Sequence, residues 1–398
     1  MIADSLHLFL YMKKILLIAA LFCGVYSAQA IKIIHGPYLQ AVTETEATIM
    51  WVTDTKALSW VELAPNDGTN FYHVERPKYY QTYLGKRVYG TVHQIRITGL
   101  EPGKTYRYST SSKEVVGMKG HRVTYGHVAT TKVYGKNFNN VFTTLNSKKE
   151  SSQFIMLNDI HAKQEKIEAL LNTFEDGKTD MVFYTGDMVS MVPTEEILFQ
   201  GFVDASVNRF ANRVPFYLVR GNHETRGLFA TSFMTYFPSI TGKPYFTLQH
   251  GDVFYIILDG GEDKPDSCLE YYETADYDTY RKEEAEWLKG VVESEACKSA
   301  KYRVVLMHMP PIGGKNMWHG PKHAGECFLP ILNKANITVM LSGHTHRYSY
   351  NTPETTDAEF PILVNGHNTA LKADVDANGI NIKVVDMTGA VKHQHSFK

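Results

Sequence analysis

Five short polar clusters recur between residues 159 and 346 of a 398-residue chain: Asp159-Ile160-His161, Gly186-Asp187, Gly221-Asn222-His223-Glu224, His308 alone, and Gly343-His344-Thr345-His346. Carboxylates and imidazoles together suit hard-to-borderline metal ions, and a carboxylate at a strand end can bridge two ions about 3.5–4 Å apart. Asp187 is the best candidate for that bridge. Asn222 offers a neutral carbonyl oxygen, which limits the negative charge of a site that must accept an anion. Gly186, Gly221 and Gly343 permit the sharp turns and close backbone approach that ligands on strand-to-loop junctions require. A lone His or Asp at a loop start is more often solvated or capping; the weight here comes from five clusters in order.

The clusters need elements to carry them. Apolar runs at Phe154 to Leu157, Met181 to Tyr184, Phe216 to Val219, Val253 to Leu258, Tyr302 to Met307 and Ile337 to Leu341 read as strands covered on both faces. Helical spacing is expected over Glu165 to Phe174, Glu195 to Ala211 and Arg281 to Glu295. Tyr245 to Gln249 and Val253 to Leu258, joined through His250-Gly251-Asp252, predict an antiparallel hairpin and therefore a mixed sheet. Five of the strands end in a cluster, and ligands in open α/β sheets gather beyond the carboxyl ends of strands, so one crevice is expected. Arg226 is a candidate clamp for an anionic ligand, and His319 and His323, in the loop after His308, are candidates for ligand contact. The acidic stretch Glu262 to Asp278 reads as a solvated insertion at the rim.

The first part of the chain is written differently. From Ile31 to about Asn146 short strand-like runs follow one another with almost no helical period. Trp51 is a plausible core plug, and the turn Leu100-Glu101-Pro102-Gly103 leading to Tyr106 is similar to the tyrosine corner of a Greek-key sandwich. This part resembles a fibronectin type III-like module. Residues 147–152 carry nothing apolar and read as a linker. The expected fold is thus an all-β fibronectin type III-like sandwich over 31–146, followed over 153–398 by an α/β domain with a mixed-sheet sandwich and helices on both faces.

Ahead of both lies a pattern of export: Lys13-Lys14, the apolar run Ile15 to Cys23 and the small-residue close Ala28-Gln29-Ala30 read as a signal peptide over residues 1–30. Met12 is an alternative start, and Phe22 stands where a lipoprotein signal before Cys23 would need a small residue. The mature chain is expected to be secreted or periplasmic, without stable membrane insertion. Lys+Arg 41 against Asp+Glu 42 leaves a net charge of -1, which argues against nucleic acid as a partner. Cys268, Cys297 and Cys327 remain after cleavage; a Cys268 to Cys297 bridge and three free thiols are both open.

The ordered set of clusters resembles the calcineurin-like metallophosphoesterase family, and its pairing with an N-terminal sandwich is similar to the purple acid phosphatases. The motifs span residues 159–346. The resemblance implies that Asp159, His161, Asp187 and His346 hold one metal, that Asp187, Asn222, His308 and His344 hold the second, and that iron, manganese or zinc would be accepted. It implies that His223 binds phosphate or protonates the leaving group, with Glu224 orienting its ring. Purple acid phosphatases place a ligating Tyr where this chain has Ser190 and lack the His found here as His161, so the tyrosinate centre is not expected; Tyr184 reads as an ordinary strand residue. The implied activity is hydrolysis of phosphate monoesters by a hydroxide that two metals activate. The alternatives are a phosphodiesterase or nucleotide hydrolase, or a surface- or glycan-binding protein that uses the fold as scaffold.

Overall fold

A computed structural model describes residues 30–132 and 140–398; the leader pattern, with Lys13, Lys14 and Cys23, lies outside the described residues. The N-terminal strands are β1 (Ile33–Gln40), β2 (Glu46–Pro65), β3 (Lys78–Tyr80), the small pair β4 (Thr82–Tyr83) and β5 (Lys86–Arg87), β6 (Tyr89–Thr98), β7 (Thr105–Lys119), β8 (Arg122–Thr130) and β9 (Val141–Thr143). Two runs that read as separate strands, Ala47 to Val52 and Ser59 to Leu63, are one 20-residue strand, β2. Its first part pairs with β1 and β6 and its second with β3 and β7, so one strand serves both sides of the sandwich. Trp51 is fully buried and its indole donates to Ser112 Oγ at 2.8 Å. Tyr106 Oη accepts from the Glu101 amide at 3.0 Å, which closes the corner expected there.

Beyond this unit stand two six-stranded sheets, the mixed-sheet sandwich expected over 153–398. β10 (Ser152–Leu157), β11 (Met181–Thr185) and β12 (Phe216–Val219) run parallel. A second sheet holds β13 (Phe246–His250), β14 (Val253–Leu258), β15 (Tyr302–Met307), β16 (Val339–Ser342), β17 (Ser349–Asn351) and β18 (Ile362–Val364), with β13 and β17 antiparallel at its edges. The C-terminal meander of β19 (Thr369–Asp376), β20 (Gly379–Asp386) and β21 (Val391–Phe397) then returns to the first sheet, in the order β12-β11-β10-β19-β20-β21.

The period of two along each strand explains the unbroken apolar runs. Phe154, Met156, Met181 and Phe183 meet Tyr255, Val304 and Leu306 between the sheets. Their neighbours Ile155, Leu157, Val182 and Tyr184 face the helix α1 (Gln164–Leu171) and a helical stretch in which α turns (Glu196–Leu198, Asp204–Ser206) alternate with π turns (Phe199–Val203, Val207–Ala211). On the other sheet Phe254, Ile256 and Val305 pack under α2 (Tyr277–Glu293) and α3 (His319–Leu332). His319 and His323, expected in the loop after His308, therefore stand on helix α3.

The sandwich is fastened to the second unit by buried bonds: Tyr38 Oη to the Tyr236 carbonyl at 3.0 Å, Gln40 Nε2 to the Phe216 carbonyl at 3.0 Å, and Tyr217 Oη to the Val42 carbonyl at 2.7 Å. The polar 147–152 segment is held as well, with Ser147 N on Glu44 Oε1 at 2.6 Å, and Ser152 already belongs to β10. Cys268, Cys297 and Cys327 are all free thiols, so the bridge between the first two does not form. Among the described residues no helix is long and apolar enough to cross a membrane.

Candidate metal centre

The five clusters leave the carboxyl ends of β10, β11 and β12 in one sheet and of β15 and β16 in the other, so the site lies across the seam between the sheets. Ligand-type atoms of Asp159, His161, Asp187 and His346 all lie within 4.8 Å of one another, as do those of Asp187, His308 and His344. Asp187 belongs to both groups. Asn222 Oδ1 is 3.2 Å from His344 Nδ1, at the second group, while His161 Nε2 and His346 Nε2 are 3.1 Å apart at the first.

The backbone is bent to bring them there. Asp159, His161, Asp187, His344 and His346 have φ of 54°, 54°, 55°, 68° and 60°. This left-handed region costs an ordinary residue on the order of 1 kcal/mol or more, and Asp and His tolerate it better than most. Two turns admit only glycine: a Cβ on Gly186, at φ +80°, would meet His308 Nδ1 at 2.3 Å, and one on Gly221 would meet Asp187 Oδ1 at 2.4 Å.

The buried polar atoms are arranged for a cation. His308 Nδ1 donates to the Thr185 carbonyl at 2.8 Å, which turns Nε2 to within 3.1 Å of Asp187 Oδ2. Neither His308 Nε2 nor Asp159 Oδ1 makes a well-formed hydrogen bond, although both are buried. Burial works against a charged His308, but the Asp187 carboxylate beside it raises the ring to about 10. A proton there occupies the place that a cation would take. Burial lowers His161 to about 4 and, with His308 nearby, His344 to about 4, so both keep the neutral, ligating form near neutral pH. Despite burial, His308 holds the Asp187 carboxyl well below the usual carboxylate range.

One role expected within the clusters changes. Glu224 does not orient His223. Its Oε1 accepts the amides of Met188 (2.7 Å) and Val189 (3.2 Å), and its Oε2 those of Asp187 (2.9 Å) and Gly221 (2.9 Å). Burial and the Asp187 charge push its carboxyl up, while the amide donors pull it down. The side chain fixes the turns that carry Asp187 and Asn222. His223 is instead held through Nδ1, which donates to the Ser190 carbonyl at 2.7 Å, with Nε2 3.9 Å from Asp187 Oδ2.

Arg226 Nη1 lies 3.5 Å from the His223 ring, but the guanidinium is already engaged by Glu262 at 2.6 Å and Asp263 at 3.0 Å. His319 Nε2 and His323 Nδ1 approach Asp278, at 2.8 and 3.2 Å, rather than any member of the five clusters. Tyr184 is buried among helix residues with its hydroxyl on Ser206, as an ordinary strand residue would be.

Sequence reasoning passed over three residues. Asn158 donates to Asp159 Oδ2 at 2.6 Å and is itself held by Asn365 at 2.7 Å. His367 donates through Nδ1 to the His346 carbonyl at 2.7 Å. Asp263 Oδ2 accepts from Asn222 Nδ2 at 3.3 Å, which leaves Asn222 Oδ1 for the site. Only Asn158, wedged between an apolar run and the first cluster, carried a signal in the text.

The calcineurin-like phosphoesterase family model matches residues 152–348, and that of the purple acid phosphatase N-terminal domain matches residues 36–131. Among solved structures the chain is similar to a purple acid phosphatase isolated from yellow lupin (Lupinus luteus) seeds, with a TM-score of 0.64 at 14% identity over 90% of this chain and 73% of that one. It is also matched by GAP50, the anchor in the inner membrane complex of Plasmodium, with a TM-score of 0.47 at 15% identity over 63% of this chain and 89% of that one. No curated protein sequence matches it.

Proposed function

Because the chain belongs to the calcineurin-like phosphoesterases and is a phosphoesterase hydrolase, we propose that it hydrolyses phosphate monoesters at a pair of metal ions. Asp159, His161, Asp187 and His346 would hold one ion, and Asp187, Asn222, His308 and His344 the other. The observation that carries this reading is the pair of ligand groups that share Asp187, each gathered within 4.8 Å. Bound there, two ions would supply Lewis acidity toward the phosphoryl oxygens and a lowered pKa for the attacking water.

The remaining steps fall to side chains. The Ser190 carbonyl keeps the Nδ1 proton of His223, so that in the charged ring Nε2–H is the one left to bond a phosphoryl oxygen or to protonate the departing alkoxide. Glu224 keeps the Asp187 and Asn222 turns in register, and Asn158 fixes the Asp159 carboxylate. The complete donor set favours an enzyme over a scaffold that only binds. The same proposal divides the chain into an exported leader over 1–30, a sandwich over 31–146, a linker over 147–152 and a catalytic domain over 153–398; the two family matches fall either side of the linker.

The test is His223→Ala. It should keep its metal and its thermal transition while losing on the order of 10²- to 10⁴-fold in turnover, with a smaller loss for nitrophenyl phosphate than for an alkyl phosphate. Equal losses would leave phosphate binding as the role of His223, and loss of metal would reject both roles. Simple aryl mono- and diesters compared on the wild-type protein separate this reading from a phosphodiesterase.

A further inference from the structure

Large apolar side chains stand in the open on the loops around the centre. Met191 is 50% exposed, Leu228 95% and Trp318 56%. Met191 follows Ser190, which holds His223; a Cβ on Gly227 would meet Met191 Cγ at 3.0 Å, so the loops bearing Met191 and Leu228 lie together. On the other side Asp263 touches Asn222, Lys264 Nζ lies 3.5 Å from Asp263, and Trp318 lies 5.7 Å from that ammonium. Met191, with Leu228 beside it, and Trp318 are therefore each linked through short contacts to His223 and to Asn222 respectively. Exposed apolar patches bordering a polar site usually mark a surface that a ligand covers.

The charge of the same rim says which ligand. Residues 262–278 hold Glu262, Asp263, Asp266, Glu270, Glu273, Asp276 and Asp278 against a single cation, Lys264. That lysine is itself paired with Glu270 at 3.0 Å, and Arg226 is spent on Glu262 and Asp263. A second phosphate or a carboxylate projecting toward this segment would meet carboxylates whose cationic partners among the described residues, Lys264 and Arg226, are already engaged. Like charges brought that close repel even through water.

We propose, on the premise of the phosphomonoesterase reading, that the preferred substrates are esters of bulky apolar or aromatic alcohols that carry no further negative charge, with Trp318 and Leu228 covering the alcohol. Nucleotides and polyphosphates are disfavoured.

The experiment compares three esters of similar leaving-group basicity on the metal-loaded full chain: phenyl phosphate, 2-naphthyl phosphate and 3-carboxyphenyl phosphate. The extra ring of the naphthyl ester should raise kcat/KM by about tenfold, and the carboxylate should lower it at low salt, with the penalty shrinking as salt is raised. Trp318→Ala and Leu228→Ser should each bring the naphthyl-to-phenyl ratio toward one with metal content and thermal transition preserved. A wild-type ratio near one, a ratio untouched in both variants, or a carboxylated ester used as well as phenyl phosphate overturns the substrate class while leaving the phosphomonoesterase reading intact. Hydrolysis of none of the three removes that reading and the inference with it.

Discussion

Replacing Glu224 by Gln is the sharpest probe of how the centre is built, because the change keeps the side chain's shape and alters only its hydrogen-bonding capacity. The carboxylate accepts four buried amides, two on each oxygen. An amide side chain offers one oxygen, so whichever way it turns, two donors face an NH2 group. Each buried donor left without a partner costs about 1–3 kcal/mol, so the metal-free protein should lose about 2–6 kcal/mol, a large share of a typical domain's 5–15 kcal/mol. The stranded amides include either those of Asp187 and Gly221 or those of Met188 and Val189. In both cases the turn that holds Asp187 at φ 55° is released. Both ions should then bind more weakly. Urea denaturation of the metal-free protein, with elemental analysis after dialysis against limiting metal, reads the two effects separately. If Glu224→Gln showed wild-type stability and metal content but a lower kcat, the side chain would be acting on His223 after all, and the argument from the four amides would be wrong.

Asp187→Ala should deplete both ions, since its carboxylate belongs to both ligand groups, whereas His308→Ala should deplete mainly one; two ions retained in the Asp187 variant would remove the bridge. An iron-loaded preparation should lack an intense visible band, because Ser190, whose Oγ is 3.3 Å from His161 Nδ1, stands where a tyrosinate would be needed; a purple colour abolished by a single Tyr→Phe change would contradict this. In the sandwich, burial holds His93 at about 4, below its ordinary 6.5. Its contribution is therefore intact above about pH 6.5 and is lost as pH falls toward 4, in all about 3 kcal/mol. Wild type should lose more stability than His93→Gln between pH 7 and 4 in urea titrations, and parallel curves would mean the ring is not held neutral.

The ligand-type residues were legible because each sits within five positions of the end of an apolar run, and because metal-binding chemistry uses few residue types. The assignment of each strand to one sheet or the other was not, because β10 and β15 are written alike: both are buried on both faces, and nothing local says that Met156 and Leu306 face each other from different sheets. The meander β19 to β21 escaped notice as its strands mix Lys, Asp and Asn with apolar residues, as suits a sheet edge. The role of Glu224 was misjudged because a carboxylate beside a histidine looks like its partner. Its real partners are backbone amides, which leave no mark in a sequence. Arg226 failed as a clamp for a related reason: its two carboxylates lie 36 and 37 residues away.

The buried bonds from Tyr38, Gln40 and Tyr217 across the boundary between the sandwich and the two-sheet unit bear on how the protein comes apart. Tyr38 packs in the same core as Phe199, Phe202 and Phe216, so the helical layer behind the Asp187 loop is completed by a residue from the first strand. Cut at 147–152, either piece would expose aromatic surface and strand hydrogen-bonding groups that water must then cover. The chain's text divides cleanly there, but its melting should not: heat should undo both units in a single cooperative step, and a proteolytic nick in that segment should leave the fragments associated.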